Sequence, residues 1–169
     1  MERGKIMSFT FDVDEIFEMA EGIERNGAKF YRQAAQNCSD KKTQRMLLDM
    51  AAMENEHLAT FTQMREKFNE QENGTVVFDP DDISALYLQT MADAHGWEGR
   101  ITPIKELTGD ETVKDILEIA LNAEKESVVF YFGLKGLVPS DTAKKKVEEI
   151  IIEEISHITT LLNKLKSLG

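Results

Sequence analysis

Apolar residues recur along most of this chain at steps of three and four, the spacing of a helix that buries one face. Val13, Phe17, Ala20, Glu24, Gly27, Tyr31 and Ala34 predict a first helix over 12–37, and Met46, Met50, Glu54, His57, Phe61, Met64 and Phe68 a second over 40–70. A third, over 110–136, follows Val113, Leu117, Ala120, Glu124, Ser127, Tyr131 and Leu134; a fourth, over 140–168, follows Val147, Ile150, Glu154, His157, Leu161, Leu165 and Leu168. Asp12 with Glu15 and Thr108 with Glu111 have the spacing of capping boxes, and Ser39 or Asp40 suits the cap of the second helix. Residues 1–11 read as a partly ordered lead-in. The connection 71–109 is expected to carry a short helix of its own, about 81–94, opened by Asp79 and Pro80 and closed by the break His95-Gly96-Trp97-Glu98-Gly99.

The two halves repeat. At an offset of 100 residues Ala20 matches Ala120, Glu24 matches Glu124, Phe30-Tyr31 matches Phe130-Tyr131, Glu54 matches Glu154 and His57 matches His157. This is a duplicated helical hairpin, and two copies are too few for a solenoid. Residues 39 and 139 each lie fifteen positions from both glutamates of their own half, so the two glutamates of each hairpin stand level, ~22 Å from the turn at 1.5 Å per residue. The expected fold is all-α: a four-helix bundle of two antiparallel hairpins, forming one domain over 1–169, with the crossover along its outside. In that arrangement Glu24, Glu54, His57, Glu124, Glu154 and His157 converge at mid-height.

Polar residues inside apolar stripes require a reason. Four buried carboxylates without countercharge cost several kcal/mol each, against a total stability of ~5–15 kcal/mol. No Lys or Arg lies in these stripes. Two divalent cations balance four carboxylates, with one imidazole for each, and Glu-x-x-His puts carboxylate and ring on one helical face. The six residues therefore predict a dinuclear metal site. Composition narrows the partners. A net charge of -11 disfavours nucleic acid and anionic membrane surfaces, and no window is apolar enough to span a bilayer. The N-terminus lacks a signal-type apolar run, so the chain reads as cytoplasmic. The single cysteine, Cys38, excludes an intrachain disulfide and a four-cysteine metal centre.

With this set the chain resembles the ferritin-like di-iron carboxylate superfamily, in which two helices give a Glu and two a Glu-x-x-His. The runs Ala20-Glu21-Gly22-Ile23-Glu24, Phe30-Tyr31 and Ala51-Ala52-Met53-Glu54-Asn55-Glu56-His57 resemble its rubrerythrin branch. The resemblance implies two iron ions per chain, replaceable by manganese or zinc, and no further cofactor. It implies reduction of hydrogen peroxide or O2 with electrons from a separate redox protein. Glu24 and Glu124 would be terminal or shifting ligands, Glu54 and Glu154 bridges, and His57 and His157 terminal ligands. Tyr31 and Tyr131, one stripe position beyond Gly27 and Ser127, are expected to hydrogen-bond ligand carboxylates or simply to pack. Two departures stand out: with one cysteine in these 169 residues no rubredoxin-like segment is expected among them, and Ser127 occupies the place of a further glutamate. The alternatives are a ferroxidase or iron-handling protein, and a helical interaction module with a structural metal. His95 reads as a surface or capping residue rather than an accessory ligand, and the methionines as packing. Glu21, Glu56, Glu126 and Glu153, out of phase with the stripes, read as surface charges. A homodimer through Phe9, Phe11 or Trp97 is a further expectation.

Overall fold

A computed structural model describes residues 10–71, 75–77, 83, 86–88, 90, 106–138 and 140–168. Four long helices make up the described body: α1 Val13–Asn37, α2 Lys41–Gln71, α3 Val113–Leu137 and α4 Asp141–Leu168. They form the expected four-helix bundle. α1 packs along α2 and α3 along α4, with α1 also meeting α3 and α2 meeting α4. The second, third and fourth helices each begin where a side chain satisfies a first free amide. Asp40 accepts from the Thr43 amide at 3.0 Å ahead of α2, and Ser140 accepts from the Ala143 amide at 3.1 Å ahead of α4.

The start of α3 differs from expectation. Thr108 and Glu111 do bond, with the Thr108 amide donating to Glu111 at 2.9 Å, but they close a turn around Gly109, whose φ of 96° suits only glycine. The cap is Thr112, which accepts from the Asp115 amide at 3.1 Å while its own amide donates to the Asp115 carboxylate at 2.9 Å. Two overlapping boxes compete here, and the later one abuts the first apolar positions, Ile116 and Leu117, that the bundle buries.

The core falls into two apolar clusters with a polar layer between them. One gathers Ile16, Phe17, Phe61, Phe68, Phe130, Leu134, Leu137, Val147 and Ile150. The other gathers Phe30, Ala34, Leu47, Met50, Ile116, Leu117, Ala120 and Leu161. The α1–α2 turn lies with the second cluster and the α3–α4 turn with the first, so the hairpins point in opposite directions. The crossover must then travel the length of the bundle. Its described residues agree: Leu88 is buried in the first cluster, and Leu107 packs on the second. Leu88 fits because α3 has Gly133 there; a Cβ on residue 133 would lie 3.1 Å from the Leu88 side chain. Ile83, Leu86, Tyr87, Leu88 and Thr90 are helical, and the remainder of the expected 81–94 helix, with Asp79, Pro80, His95, Phe9 and Trp97, lies outside the described residues, as does the side chain of Phe11.

Two features were not anticipated. Thr10–Asp12 (β1) and Thr75–Val77 (β2) pair as an antiparallel clasp, with Thr10 opposite Val77 and Asp12 opposite Thr75. Glu21 is not a surface charge: it is buried, and its carboxylate lies 3.3 Å from Arg65. Arg65 also grips both oxygens of Asp14 at 2.7 Å, which holds its own charge in place and draws Glu21 inward from α1. Among the described residues no helix is long and apolar enough to cross a membrane.

Candidate metal centre

The polar layer is the meeting point of Glu24, Glu54, His57, Glu124, Glu154 and His157, none more than 4% exposed. They arrive from all four helices because each sits on its helix's buried stripe at the height where the opposed hairpins overlap. Ligand-type atoms fall into two groups, Glu24, Glu54, His57 and Glu154, and Glu54, Glu124, Glu154 and His157, within 4.8 Å in each. Glu54 and Glu154 are common to both.

Both imidazoles turn Nδ1 inward. His57 Nδ1 stands 3.0 Å from Glu154 and 3.5 Å from Glu24. His157 Nδ1 stands 3.0 Å from Glu154 and 3.4 Å from both Glu54 and Glu124. The nearest carboxylate to His57 Nδ1 is thus Glu154, from the other hairpin, and not Glu54 one turn away on its own helix. Glu154 lies between the two rings, one oxygen toward each. The short distances are not aligned hydrogen bonds: Glu24 Oε2, Glu54 Oε1, both oxygens of Glu154 and both Nδ1 atoms are buried without a hydrogen-bond partner. Native interiors leave few such atoms. Six in one layer, all oxygen or imidazole nitrogen, fit a pair of first-row divalent ions, and this hard donor set suits iron or manganese.

Electrostatics of the bare site show how crowded the charge is. Burial and the neighbouring Glu24 and Glu154 carboxylates push Glu54 well above its ordinary value. Burial raises Glu124 to about 8 against the pull of His157. Burial would raise Glu154 too, but the two histidines facing it override that and hold it below the ordinary carboxylate range. Desolvation works against charge on His57, yet Glu154 and Glu24 hold it up at about 11; His157, against Glu124 and Glu154, is held at about 9. Without cations the layer is balanced by protons.

Tyr31 and Tyr131 reach across the bundle. The Tyr31 hydroxyl donates to Glu124, and the Tyr131 hydroxyl donates to Glu24, each crossing between α1 and α3. Both phenols are fully buried, and burial, then the facing glutamate, raises their pKa. The contrast with packing alone is settled by these bonds, which orient the two outermost carboxylates. Gly27 serves a different need, since a Cβ there would come within 2.8 Å of Glu54 Oε2. Its counterpart Ser127 is buried and donates to the Ala123 carbonyl at 3.0 Å.

Glu153 is exposed, as expected of a surface charge, but it has a contact that the expectation missed: its Oε2 lies 2.6 Å from His57 Nε2. The out-of-phase position places it on the flank of α4 beside α2, and the glutamate is long enough to reach the ring's outer edge. Helical phase alone hides this contact, because it depends on how two helices rotate against each other. Glu56 and Glu126 are exposed as expected.

No protein-family profile and no curated protein sequence matches the chain. Solved structures do. A protein of Thermotoga maritima, assigned provisionally to the ferritin-like diiron-carboxylate class, superposes with a TM-score of 0.70 at 23% identity, over 95% of this chain and 98% of its own. KatB, a manganese catalase from Anabaena, superposes with a TM-score of 0.71 at 19% identity, over 100% of this chain and 80% of its own. At these identities the likeness is one of fold. The chain has the ferritin-like bundle, with a buried carboxylate and histidine cluster at its middle.

Proposed function

We propose that the cluster holds two metal ions and that the protein is an oxidoreductase acting on hydrogen peroxide or O2, with electrons delivered by a separate redox protein. The observation that carries this reading is the pair of overlapping donor groups that share Glu54 and Glu154 while each has its own histidine and its own outer glutamate. Glu54 and Glu154 are then bridges, Glu24 with His57 completes one pocket, and Glu124 with His157 completes the other. Iron or manganese held by these residues would supply the redox chemistry. The chain's own residues do the rest: Tyr31 and Tyr131 orient Glu124 and Glu24, Gly27 leaves room for Glu54, and the two apolar clusters keep water from the layer. With Ser127 in place of a seventh carboxylate, the six residues carry the whole ligand set.

The fold shared with a manganese catalase favours a second reading, disproportionation of peroxide to O2 and water without an outside donor. The test is anaerobic titration with Fe2+ and, separately, Mn2+, followed by peroxide with and without a reductant. Two ions per chain and peroxide loss that requires reductant support the first reading. O2 release without reductant selects the second, and retained Fe3+ exceeding two per chain selects iron handling. Saturation below two ions overturns the dinuclear site.

A further inference from the structure

The outer edges of the two histidines differ, through residues at matching places in the duplicated halves. His57 Nε2 lies 2.6 Å from Glu153 Oε2. The carboxylate oxygen accepts there, so the ring donates from Nε2 and leaves Nδ1 as the nitrogen that an ion in the pocket would take. His157 Nε2 meets instead the Met53 thioether, 3.3 Å away, a weak acceptor that neither selects a tautomer nor resists rotation of the ring. Positions 53 and 153 are a hundred apart, as the ligands are. One histidine is braced and its counterpart is not.

We propose that Glu153 is a positioning residue that makes the centre sequential: the pocket of Glu24, Glu54, His57 and Glu154 takes the first ion and holds it harder, while the pocket of His157 takes the second and exchanges it more readily. This rests on the dinuclear reading above. Because both pockets share Glu54 and Glu154, stepwise binding alone follows even from equal halves; the order of filling is what Glu153 decides. Loss of such a carboxylate partner to a metal-bound histidine weakens binding by roughly ten- to a hundredfold.

The order can be read directly, since the chain has only three histidines. Full-length protein with 15N-labelled histidine is titrated with Zn2+ and followed by imidazole NMR, with calorimetry in parallel. The His57 signals are expected to move over the first equivalent and the His157 signals over the second. In Glu153→Ala the first step weakens at least tenfold and the order is lost, whereas Glu153→Gln, whose amide oxygen still accepts from Nε2, keeps the order. Met53→Glu, which braces the second ring, brings the two steps together. Two Zn2+ bound with both rings moving at once, or an order unchanged in both Glu153→Ala and Met53→Glu, overturns the proposal alone. Saturation below two ions in the parent protein overturns the dinuclear reading as well.

Discussion

The two halves of the bundle contribute the same ligands but not the same surroundings. In the first, Glu54 faces other carboxylates, with Gly27 beneath it, and burial and those neighbours push its pKa up. In the second, its counterpart Glu154 lies 3.0 Å from both histidines and stays ionised. Duplication preserved the positions whose side chains fill the layer. It did not preserve their neighbours, and electrostatics in a low-dielectric interior depends on every neighbour.

The largest expected effect breaks this comparison at Glu154. Because Glu154 serves both rings, Glu154→Gln should reduce binding from two ions to at most one, and Glu54→Gln should do less damage to the His57 pocket; Glu56→Ala, on an exposed position, should leave both ions bound. Metal analysis after dialysis distinguishes the three. Equal losses in Glu154→Gln and Glu56→Ala would mean the helical phase is misassigned.

The next effect is on pH dependence without metal. Glu54 and Glu124 bind protons more tightly folded than unfolded, and so do His57 and His157. Stability from these groups is present at low pH and lost as pH rises, from 4.5 to about 8 for Glu124, from 6.5 to about 9 for His157 and from 6.5 to about 11 for His57, with Glu54 lost above the ordinary carboxylate range, at up to about 1.4 kcal/mol per pH unit for each group in its window. Glu154 has the opposite sign, and its share is lost only as pH falls through and below the ordinary carboxylate range. With metal bound, protons compete for the ligands and the metal-dependent stability is lost toward low pH. Thermal unfolding with and without anaerobic Fe2+ or Mn2+ should therefore give profiles that converge at low pH and separate as pH rises. Parallel profiles would remove the case for a buried metal layer.

Gly27 and Ser127 sharpen the comparison further. Gly27→Ala pushes a methyl against Glu54 and should cost roughly 1–3 kcal/mol of stability or an equivalent loss in metal affinity. Ser127→Ala removes only a hydroxyl bonded to a carbonyl already in a helix, and should cost less than about 1 kcal/mol. Chemical denaturation ranks the pair. The smallest difference is expected between Tyr31→Phe and Tyr131→Phe, each of which strips one hydrogen bond from an outer glutamate at about 1–3 kcal/mol. Their denaturation midpoints should agree closely, and a wide gap would show that the two tyrosines are not equivalent.

Much of this was legible without coordinates. The stripes placed Glu24, Glu54, His57 and their counterparts on buried faces, and equal distances from residues 39 and 139 set them level, because helical rise and phase are local properties of the backbone. Start signals were legible only in part: Thr108–Glu111 and Thr112–Asp115 satisfy the same spacing, and burial of Ile116 and Leu117 selected the later one. Glu21 and Glu153 escaped the pattern because both act across helices, Glu21 toward Arg65 and Glu153 toward His57.

The amino-acid sequence by itself determined the four helices, the duplication and the six residues of the polar layer, since each follows from the spacing of residues within one helix or one hairpin. Tertiary structure alone decided that Glu154 rather than Glu54 faces His57 Nδ1, that each tyrosine serves the opposite half, and that one histidine is braced by Glu153 while the other rests on Met53. Those pairings depend on the rotation and register of one helix against another. Packing of the two apolar clusters sets both, and no periodicity along a single strand of sequence records them.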